Sequence, residues 1–403
     1  MSAAAASLAQ VLARRISAEG PIPFEAFMET ALYHPSLGYY TRDDRDPLGA
    51  RGDFRTGPEI SPAFGLLLSR QVAEILDRTA GAGVPLRVVE VGPGRGSLAR
   101  DLALGLAAQR PDLAERTRLI LVEVSAASIR IQKETLRGIP CGGAGALEGV
   151  AWSAWEDLLD ADDETGTCVV ANEFLDALPV RIARRVDGRL KEVHVDAAGA
   201  SFQETMREPV DDRLSAHFAM LERSEGVRLA DGQRVEAGLR GLDWVASLAR
   251  LFGARGKGGA VIVDYGRTAR DLYDPARSEG TLMCYHRHRA LQDPYAMVGE
   301  QDITAHVDFT SIAHAARGAG LDVAGPVSQM RFLVALGLAQ LFAQRAHETG
   351  PDAIQDRLGL HALMAPGGMG EIFSAMLLTR GTEAALLTGA RDPFRAQEEG
   401  AAS

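Results

Sequence analysis

The sequence predicts an α/β fold in which a mostly parallel β-sheet is covered by helices. Three observations support this prediction: apolar, strand-like runs alternate with helical patterns, glycine and polar residues bound the runs, and each run ends in a polar or charged residue. The chain has 403 residues, 46% of them hydrophobic, which is enough for one large domain with insertions or for two domains. Ligands of open α/β sheets bind at the carboxyl ends of the strands, so the polar residues there are candidates for a site.

Five segments carry the strand pattern. The first strand is predicted at residues 86–91 (LRVVEV), and a helix is expected from Ser97 onward. The other strands are expected at 118–124 (RLILVEV), 167–172 (TCVVAN), 258–266 (GGAVIVDYG) and, as a final strand, within 371–381 (EIFSAMLLTRG).

Two stretches depart from this alternation. Residues 180–206 alternate apolar and polar side chains around Asp187-Gly188, a hairpin turn signal, and predict an antiparallel β insertion. Residues 328–348 predict a helix, because apolar residues recur there at helical spacing, namely Phe332, Leu336, Ala339 and Phe342. This helix suits an interface as well as a core, so the oligomeric state is open, with a homodimer as one option.

The domain organisation follows from these patterns. An N-terminal helical region with a lid segment is expected at 1–80 and the main domain at 81–390, with insertions at about 180–250 and about 330–365 and a disordered tail at 391–403. An amphipathic first helix is favoured over an organelle presequence. A presequence is the alternative because the segment contains Arg14 and Arg15 and has no acid before Glu19. The apolar face of that helix comprises Leu8, Val11, Leu12 and Ile16.

Composition excludes several classes of function. The net charge of −11 argues against broad nucleic-acid binding, which needs clustered Lys and Arg. No apolar run approaches the roughly 20 residues of a membrane span. The cysteines Cys141, Cys168 and Cys284 lack paired metal spacing and indicate ordinary thiols in a reducing compartment. We therefore expect a cytoplasmic protein.

The stretch VVEVGPGRGSLARDL (88–102) predicts a nucleotide site. Gly92, Gly94 and Gly96 follow a strand in a G-x-G-x-G pattern, and Glu90 lies two residues before the first glycine. The dinucleotide fingerprint G-x-G-x-x-G would need a glycine where Ser97 stands, which argues against a nicotinamide oxidoreductase, the alternative reading. The pattern resembles the E/D-x-G-x-G-x-G loop of class I S-adenosylmethionine methyltransferases, and S-adenosyl-L-methionine is the implied cofactor.

Two acids are candidates for holding that cofactor. Glu90 can accept hydrogen bonds from the cationic amino acid end, although a helix-dipole partner would also occupy this position. Glu123, at the end of the second strand, can accept hydrogen bonds from both ribose hydroxyls, as acids in NAD enzymes also do. A solvent-facing strand end is the structural alternative for Glu123.

The stretch ANEFLDALPV (171–180) places polar residues at the end of a buried strand. A strand buried on both faces has no low-cost position for two carboxylates and an amide, so Asn172, Glu173 and Asp176 face either a solvated loop or a ligand. Capping of the following turn is an equal alternative for Asp176.

Six motifs in order identify a closer resemblance, to the MidA-type methyltransferase family of bacteria and mitochondria. They are FMETALYHPSLGYY (27–40), GDFRTGPEISPAFG (52–65), VEVGPGRGSLARDL (89–102), ANEFLDALPVR (171–181), VDYG (263–266) and GEQDITAHVDF (299–309). The resemblance implies the seven-stranded class I sheet with extra helices and an insertion. It also implies methylation of an arginine in a core subunit of respiratory complex I, giving symmetric dimethylarginine. A mitochondrial matrix location is then the alternative to the cytoplasm.

The resemblance implies roles for the acids. Asn172, Glu173 and Asp176 are expected to line the reaction centre, with Asn172 also beside the cofactor. An arginine acceptor is cationic, as is the methyl donor, so carboxylates must offset their repulsion, and Glu173 is the first candidate for orienting the guanidinium. The candidates for a second acid are Asp53, Glu59, Asp264 and Glu300.

Other readings are weaker. The stretch at 52–65 is interpreted as a lid over the cofactor, and Tyr265 as a ligand contact or a core residue. His286, His288 and His306 suggest a polar cleft wall rather than a metal site, since no acid or cysteine completes a tight ligand set. A non-catalytic assembly factor that binds the cofactor is the remaining alternative function.

Overall fold

The structure, a computed structural model, describes residues 7–43, 56–79, 83–139, 149–160, 165–199, 201–253, 257–345, 350–365 and 367–394. Asp53, Cys141 and most of the predicted tail lie outside the described residues.

The strands are, in chain order, β1 (Ile22–Pro23), β2 (Leu86–Val91), β3 (Thr117–Val122), β4 (Val150–Ser153), β5 (Gly166–Asn172), β6 (Arg181–Val186), β7 (Arg189–Ala198), β8 (Ser201–Arg207), β9 (Arg234–Ala237), β10 (Gly258–Arg267), β11 (Met283–His286), β12 (Arg289–Leu291), β13 (Asp302–Thr304), β14 (Val307–Asp308), β15 (Asp322–Ser328) and β16 (Phe373–Arg380).

The α-helices are α1 (Leu8–Glu19), α2 (Phe24–Tyr33), α3 (Gly57–Ile60), α4 (Ala63–Thr79), α5 (Ser97–Gln109), α6 (Pro111–Ala114), α7 (Ala126–Thr135), α8 (Trp155–Asp160), α9 (Arg213–Glu225), α10 (Leu239–Leu251), α11 (Ala269–Leu272), α12 (Phe309–Gly318), α13 (Gln329–Ala335), α14 (Leu338–Arg345), α15 (Pro351–Met364) and α16 (Met369–Ile372).

The main sheet has the strand order β15-β16-β10-β5-β2-β3-β4, and the short strand β14 pairs with β10 at its end. Strands β4, β3, β2, β5 and β10 run parallel, whereas β16 is antiparallel to both of its neighbours. This is the predicted seven-stranded α/β sheet, and the fold prediction is confirmed. The strand order reverses beside β2, which places the ends of β2 and β5 next to each other at the ligand-binding edge.

Helices cover both faces of this sheet, which explains why its central strands are apolar throughout. Every residue of β2 is buried. On one face α4 and α5 pack on the sheet with the apolar residues of α13 and α15, and on the other face α8, α10 and α12 complete the core. Because both faces are covered, polar groups on these strands are confined to their ends or need a specific partner.

The second sheet is the predicted antiparallel insertion. Strands β6 and β7 form a hairpin whose turn residues, Asp187 and Gly188, have φ values of 50° and 75°, as a tight hairpin turn requires. Strands β8, β9 and β1 extend this sheet. Helix α1 forms as predicted, with Leu8, Leu12 and Ile16 buried in the core that joins it to α2 and the insertion.

The prediction of one helix over 328–348 is wrong. Helix α13 ends at Ala335 and α14 begins at Leu338, because the chain turns at Gly337, whose φ is 97°. Phe332 and Leu336 are buried as the apolar spacing predicts, whereas Ala339, beyond the break, is exposed.

A membrane-crossing helix is not found in the described part of the chain, since no helix there is both long and apolar enough.

Candidate active site

The glycine turn between β2 and α5 lies at the ligand-binding edge of the main sheet. Gly92, Gly94 and Gly96 all have positive φ values, of 62°, 53° and 80°, which other residues rarely adopt. A Cβ atom on Gly92 would lie 3.2 Å from the ring of Phe174, so the turn also packs closely on the loop after β5. The three glycines therefore form a tight turn whose backbone a ligand can approach.

Glu90 is a buried carboxylate with an unused hydrogen-bond acceptor. Its side chain is 3% exposed, and its Oε2 atom has no hydrogen-bond partner among the described residues. Burial raises the pKa of Glu90 well above its usual value, and the negative charge of Asp101 raises it further. An unsatisfied buried oxygen of this kind fits a ligand that donates N–H hydrogen bonds or carries positive charge.

Glu123 follows β3 and is held by a hydrogen-bond network. Its Oε1 accepts a bond of 2.7 Å from the backbone N–H of Ser125, and its Oε2 accepts one of 3.0 Å from the side chain of Gln132. Gln132 also donates to the carbonyl of Gly94 (2.8 Å) and accepts from Trp152 (2.7 Å). One buried amide thus fixes the glycine turn and Glu123 relative to each other.

The loop after β5 is organised by Asp264, in the neighbouring strand β10. Asp264 is fully buried, and its Oδ2 accepts hydrogen bonds from the backbone N–H groups of Phe174 (3.1 Å) and Leu175 (2.8 Å). Its Oδ1 accepts from the backbone N–H of Tyr265 (2.8 Å). Burial raises the pKa of Asp264 to about 6, although these backbone bonds oppose the shift. The contacts support a role in holding this loop rather than contact with an acceptor.

Glu173 lies at the tip of that loop with a left-handed backbone, at a φ of 51°. The side-chain oxygen Oε1 accepts hydrogen bonds from the backbone N–H of Gly57 and from the Asn172 amide, each 3.2 Å long. Burial raises its pKa to about 8, the Gly57 bond lowers it in part, and the nearby charge of Asp264 raises it. Backbone strain at a non-glycine residue in such a position is typical of functional sites.

Asp176 and Asp302 complete a group of carboxyls beside Glu173. The pKa of Asp176 is held well above its usual value by burial first and then by the charges of three neighbouring carboxylates, those of Asp264, Glu173 and Asp302. Asp302, in β13, is 2% exposed and accepts a 2.7 Å hydrogen bond from the hydroxyl of Tyr40. A bound cation would relieve the repulsion within this group.

Aromatic side chains border these acids. Tyr33 and Tyr40 stack with ring centroids 5.5 Å apart, and Tyr265 packs on the edge of His306 at 4.1 Å. Burial first, and then charges that include those of Tyr265, Asp176 and Asp302, raise the pKa of Tyr285. Tyrosine rings and carboxylates together are the side chains that bind organic cations.

The other predicted second acids have different contacts or are outside the described residues. Glu59, in α3, accepts a 2.6 Å hydrogen bond from the hydroxyl of Ser97, which joins it to the start of α5 after the glycine turn. Glu300 is exposed, and its carboxylate pairs with Arg42. Asp53 is outside the described residues. Among the described candidates, Asp264 is the one whose charge acts on Glu173, and its carboxylate binds backbone amides.

Sequence reasoning missed Asp302, Gln132 and the tyrosine pair. Asp302 lies in the same motif, 299–309, as the predicted Glu300, and strand alternation does not separate two residues that are two positions apart. Tyr33 and Tyr40 belong to the motif at 27–40, but no local pattern indicates that its rings reach the sheet.

In the described part of the chain, no group of three or more His, Cys, Asp or Glu side chains is placed to hold a metal ion. The Nδ1 atom of His286 lies 2.7 Å from the backbone carbonyl oxygen of Glu300.

Comparisons with known proteins agree with this geometry. A model of the family described as "Putative S-adenosyl-L-methionine-dependent methyltransferase" matches residues 67–327. The mitochondrial protein arginine methyltransferase NDUFAF7 homolog of Drosophila melanogaster is 32% identical over 394 residues, covering 94% of this chain and 86% of the fly protein. The human mitochondrial protein arginine methyltransferase NDUFAF7 is 29% identical over 385 residues, covering 90% of this chain and 81% of the human protein.

A solved structure extends the similarity to three dimensions. The crystal structure of a protein from Burkholderia thailandensis, bound to S-adenosyl-homocysteine, matches this chain with a TM-score of 0.79 and 34% identity. The match covers 96% of this chain and 94% of that one. The similarity thus includes the insertion as well as the main sheet.

Proposed function

Because the chain belongs to the S-adenosyl-L-methionine-dependent methyltransferase family, we propose that it methylates an arginine side chain of a protein substrate. The cofactor of the family is S-adenosyl-L-methionine, and the similar structure from Burkholderia thailandensis binds the demethylated product of that cofactor. The arginine acceptor is supported by the names of the curated relatives and by the acids around Glu173.

The residues at the edge of the main sheet fit this cofactor. Glu90, with its unsatisfied Oε2, would accept hydrogen bonds from the amino group, and the glycine turn would pass close to the amino acid end. Glu123, fixed by Gln132, would accept from the ribose hydroxyls. Val124 is 74% exposed, and a planar base beside that ribose would cover it. When bound, the cofactor supplies a methyl group on a positively charged sulfur.

The position of the Glu173 carboxylate is the observation that supports the arginine proposal. A guanidinium stays protonated near neutral pH and would be repelled by the cationic donor unless a carboxylate lies between or beside them. Glu173 is positioned by Gly57 and Asn172 at the end of β5, next to the glycine turn. Its carboxylate would bind the guanidinium and direct one terminal nitrogen to the methyl group.

Proton balance gives Glu173 a second role. The acceptor nitrogen forms a bond to the methyl carbon while the sulfur–carbon bond breaks and its electron pair stays on sulfur. The nitrogen must then lose a proton, and a carboxyl whose pKa is about 8 can accept that proton and pass it to solvent. Asp264 holds the loop that orients Glu173, and Asp176 adds negative charge beside it.

The substrate protein in this proposal is a core subunit of respiratory complex I, acted on during assembly. The support is the resemblance of the six sequence motifs together with the mitochondrial relatives. We propose that the chain works in the cytoplasm of a bacterium, with the mitochondrial matrix as the alternative, and as a monomer or a homodimer.

Mass spectrometry of complex I tests this proposal. Cells with and without the gene are compared, and the expected result is a methylated arginine in a core subunit that disappears without the gene. An identical methylation pattern in both cells would contradict it.

Complementation with Glu173→Gln separates catalysis from a purely structural assembly factor. If the variant restores complex I assembly without arginine methylation, the chain acts as a cofactor-binding factor and the catalytic proposal is wrong. Ser97 at the position of the third glycine argues against the alternative function, a nicotinamide oxidoreductase. Tight binding of NADH would be needed to support that alternative.

A further inference from the structure

Tyr33 and Tyr40 form a stacked pair that is anchored at both hydroxyl groups. The rings lie 5.5 Å apart with an angle of 26° between their planes. The Tyr33 hydroxyl donates a 3.0 Å hydrogen bond to the carbonyl of Ala177, and the Tyr40 hydroxyl donates one of 2.7 Å to Oδ1 of Asp302. Both donors are used, so neither ring can swing away without losing a buried hydrogen bond.

The backbone around the pair is equally well fixed. The backbone N–H of Tyr40 donates to the carbonyl of Leu32 across 3.0 Å, and the fully buried Tyr39 packs edge-on against Tyr40 at 4.9 Å. Asp302 is in turn oriented by the backbone N–H of Ile303, which donates to Oδ1 at 2.9 Å. The stack is therefore a rigid surface rather than a mobile flap.

This surface lies beside the loop that follows β5. Ala177, which anchors Tyr33, follows the loop that carries Glu173 and Asp176. Burial first, and then the negative charges of Asp302, Asp176 and Glu123, raise the pKa of Tyr33. Tyr33 and Tyr40 are partly exposed, whereas Asp302, at the Tyr40 hydroxyl, is 2% exposed.

We propose that the Tyr33–Tyr40 stack, positioned by Asp302, is the wall of the acceptor pocket that selects a flat cation, the guanidinium of arginine, over the compact ammonium of lysine. The inference rests on the proposed function, because it places the acceptor against the acids at the end of β5. A ring face attracts a cation, and a planar guanidinium can stack on it while its edge hydrogen-bonds to Glu173. The carboxylate of Asp302 lies at the hydroxyl end of the Tyr40 ring and adds negative charge beside the stack, where it is poorly screened by water. Asp302 is thus a positioning residue.

Binding of two small probes tests this proposal. Nα-acetyl-arginine methylamide and Nα-acetyl-lysine methylamide are titrated into the full chain saturated with S-adenosyl-homocysteine. The wild-type protein should bind the arginine probe at least about tenfold more tightly, and Asp302→Asn should abolish most of that preference. In transfer assays, Asp302→Asn should raise the KM of an arginine peptide about tenfold while kcat changes less than about threefold.

Tyr40→Phe keeps the ring and removes only the bond to Asp302, so it should weaken arginine binding less than Asp302→Asn does. It also carries the test if Asp302→Asn fails to fold. Tyr295→Phe is the matched control, because Tyr295 makes the same kind of bond, 2.8 Å to Glu204, in the core beneath α2. All three variants should bind S-adenosyl-homocysteine as the wild type does.

Equal binding of the two probes by the wild type, or unchanged arginine binding in both Asp302→Asn and Tyr40→Phe, would overturn the proposal. Failure of the proposed function looks different, because the wild type itself would then transfer no methyl group to arginine peptides.

Discussion

The backbone N–H of Gly57 donates a 3.2 Å hydrogen bond to Oε1 of Glu173, and this bond joins the start of α3 to the end of β5. Glu173 nevertheless remains easy to protonate, because burial raises its pKa to about 8. At neutral pH the carboxyl of the free protein is therefore largely neutral, and a bound cation would favour the ionised form.

The first prediction concerns the pH dependence of methyl transfer. We expect kcat/KM for an arginine peptide to rise between pH 6 and about 8 and to level off above, since ionised Glu173 is the form that binds the guanidinium and takes up a proton. Initial rates are measured at saturating cofactor at each pH, because Glu90 and Glu123 also have raised pKa values. A profile that is flat or falls across this range would argue against the role of Glu173.

The second prediction concerns stability. The folded pKa of Glu173 is about 8 and its ordinary value is 4.5, so between these values the folded state binds more protons than the unfolded state. The contribution of Glu173 is therefore fully present below about pH 4.5 and is lost as the pH rises through about 8. We expect the free energy of unfolding in urea to fall between pH 6 and pH 9, and Glu173→Gln to fall less.

Glu134→Gln is the control for this comparison, because Glu134 is an exposed acid on α7. It should follow the pH dependence of the wild type. If Glu173→Gln follows the wild type as well, the carboxyl is not buried as described.

The third prediction concerns the glycine turn. Gly94 has a φ of 53°, so Gly94→Val should strain the turn and obstruct the cofactor. We expect the affinity for S-adenosyl-homocysteine, measured by calorimetry, to fall at least about tenfold.

Gly138→Val provides a matched control for the third prediction. Gly138 has a φ of 78° and is exposed beyond α7, and a Cβ atom added there would meet no atom of the described residues within 4 Å. The same backbone strain there should lower stability and leave cofactor affinity unchanged. Undiminished binding by Gly94→Val would show that the cofactor does not use this turn.

Local patterns in the sequence were sufficient for five strands of the main sheet and for part of the site, but not for β4 and β15. The apolar runs at 86–91 and 167–172 predict buried strands, and the three alternating glycines predict a tight turn, because each pattern is contained in a short segment. The apolar spacing did not predict the break at Gly337, because it continues on both sides of this glycine. The positive φ of Gly337 interrupts the helix there.

Contacts between distant segments were not predictable in this way. Asp264 lies near the end of β10, as a ligand-binding acid would, yet its carboxylate is occupied by the backbone of a loop about 90 residues earlier in the chain. Tyr40 reaches Asp302 over 262 residues, and nothing in either motif indicates that pairing. The strand-end position was thus readable from sequence, but the direction and partners of each side chain were not.

The central claim is that Glu173 holds an arginine acceptor against the bound methyl donor, and single-turnover transfer by Glu173→Gln tests it most directly. The variant is loaded with saturating S-adenosyl-L-methionine and mixed with the arginine substrate, so the measured rate does not depend on cofactor affinity. The account predicts a rate at least about 100-fold below that of the wild type, since the glutamine amide can neither carry the charge nor accept the proton. A rate within about twofold of the wild type would contradict it.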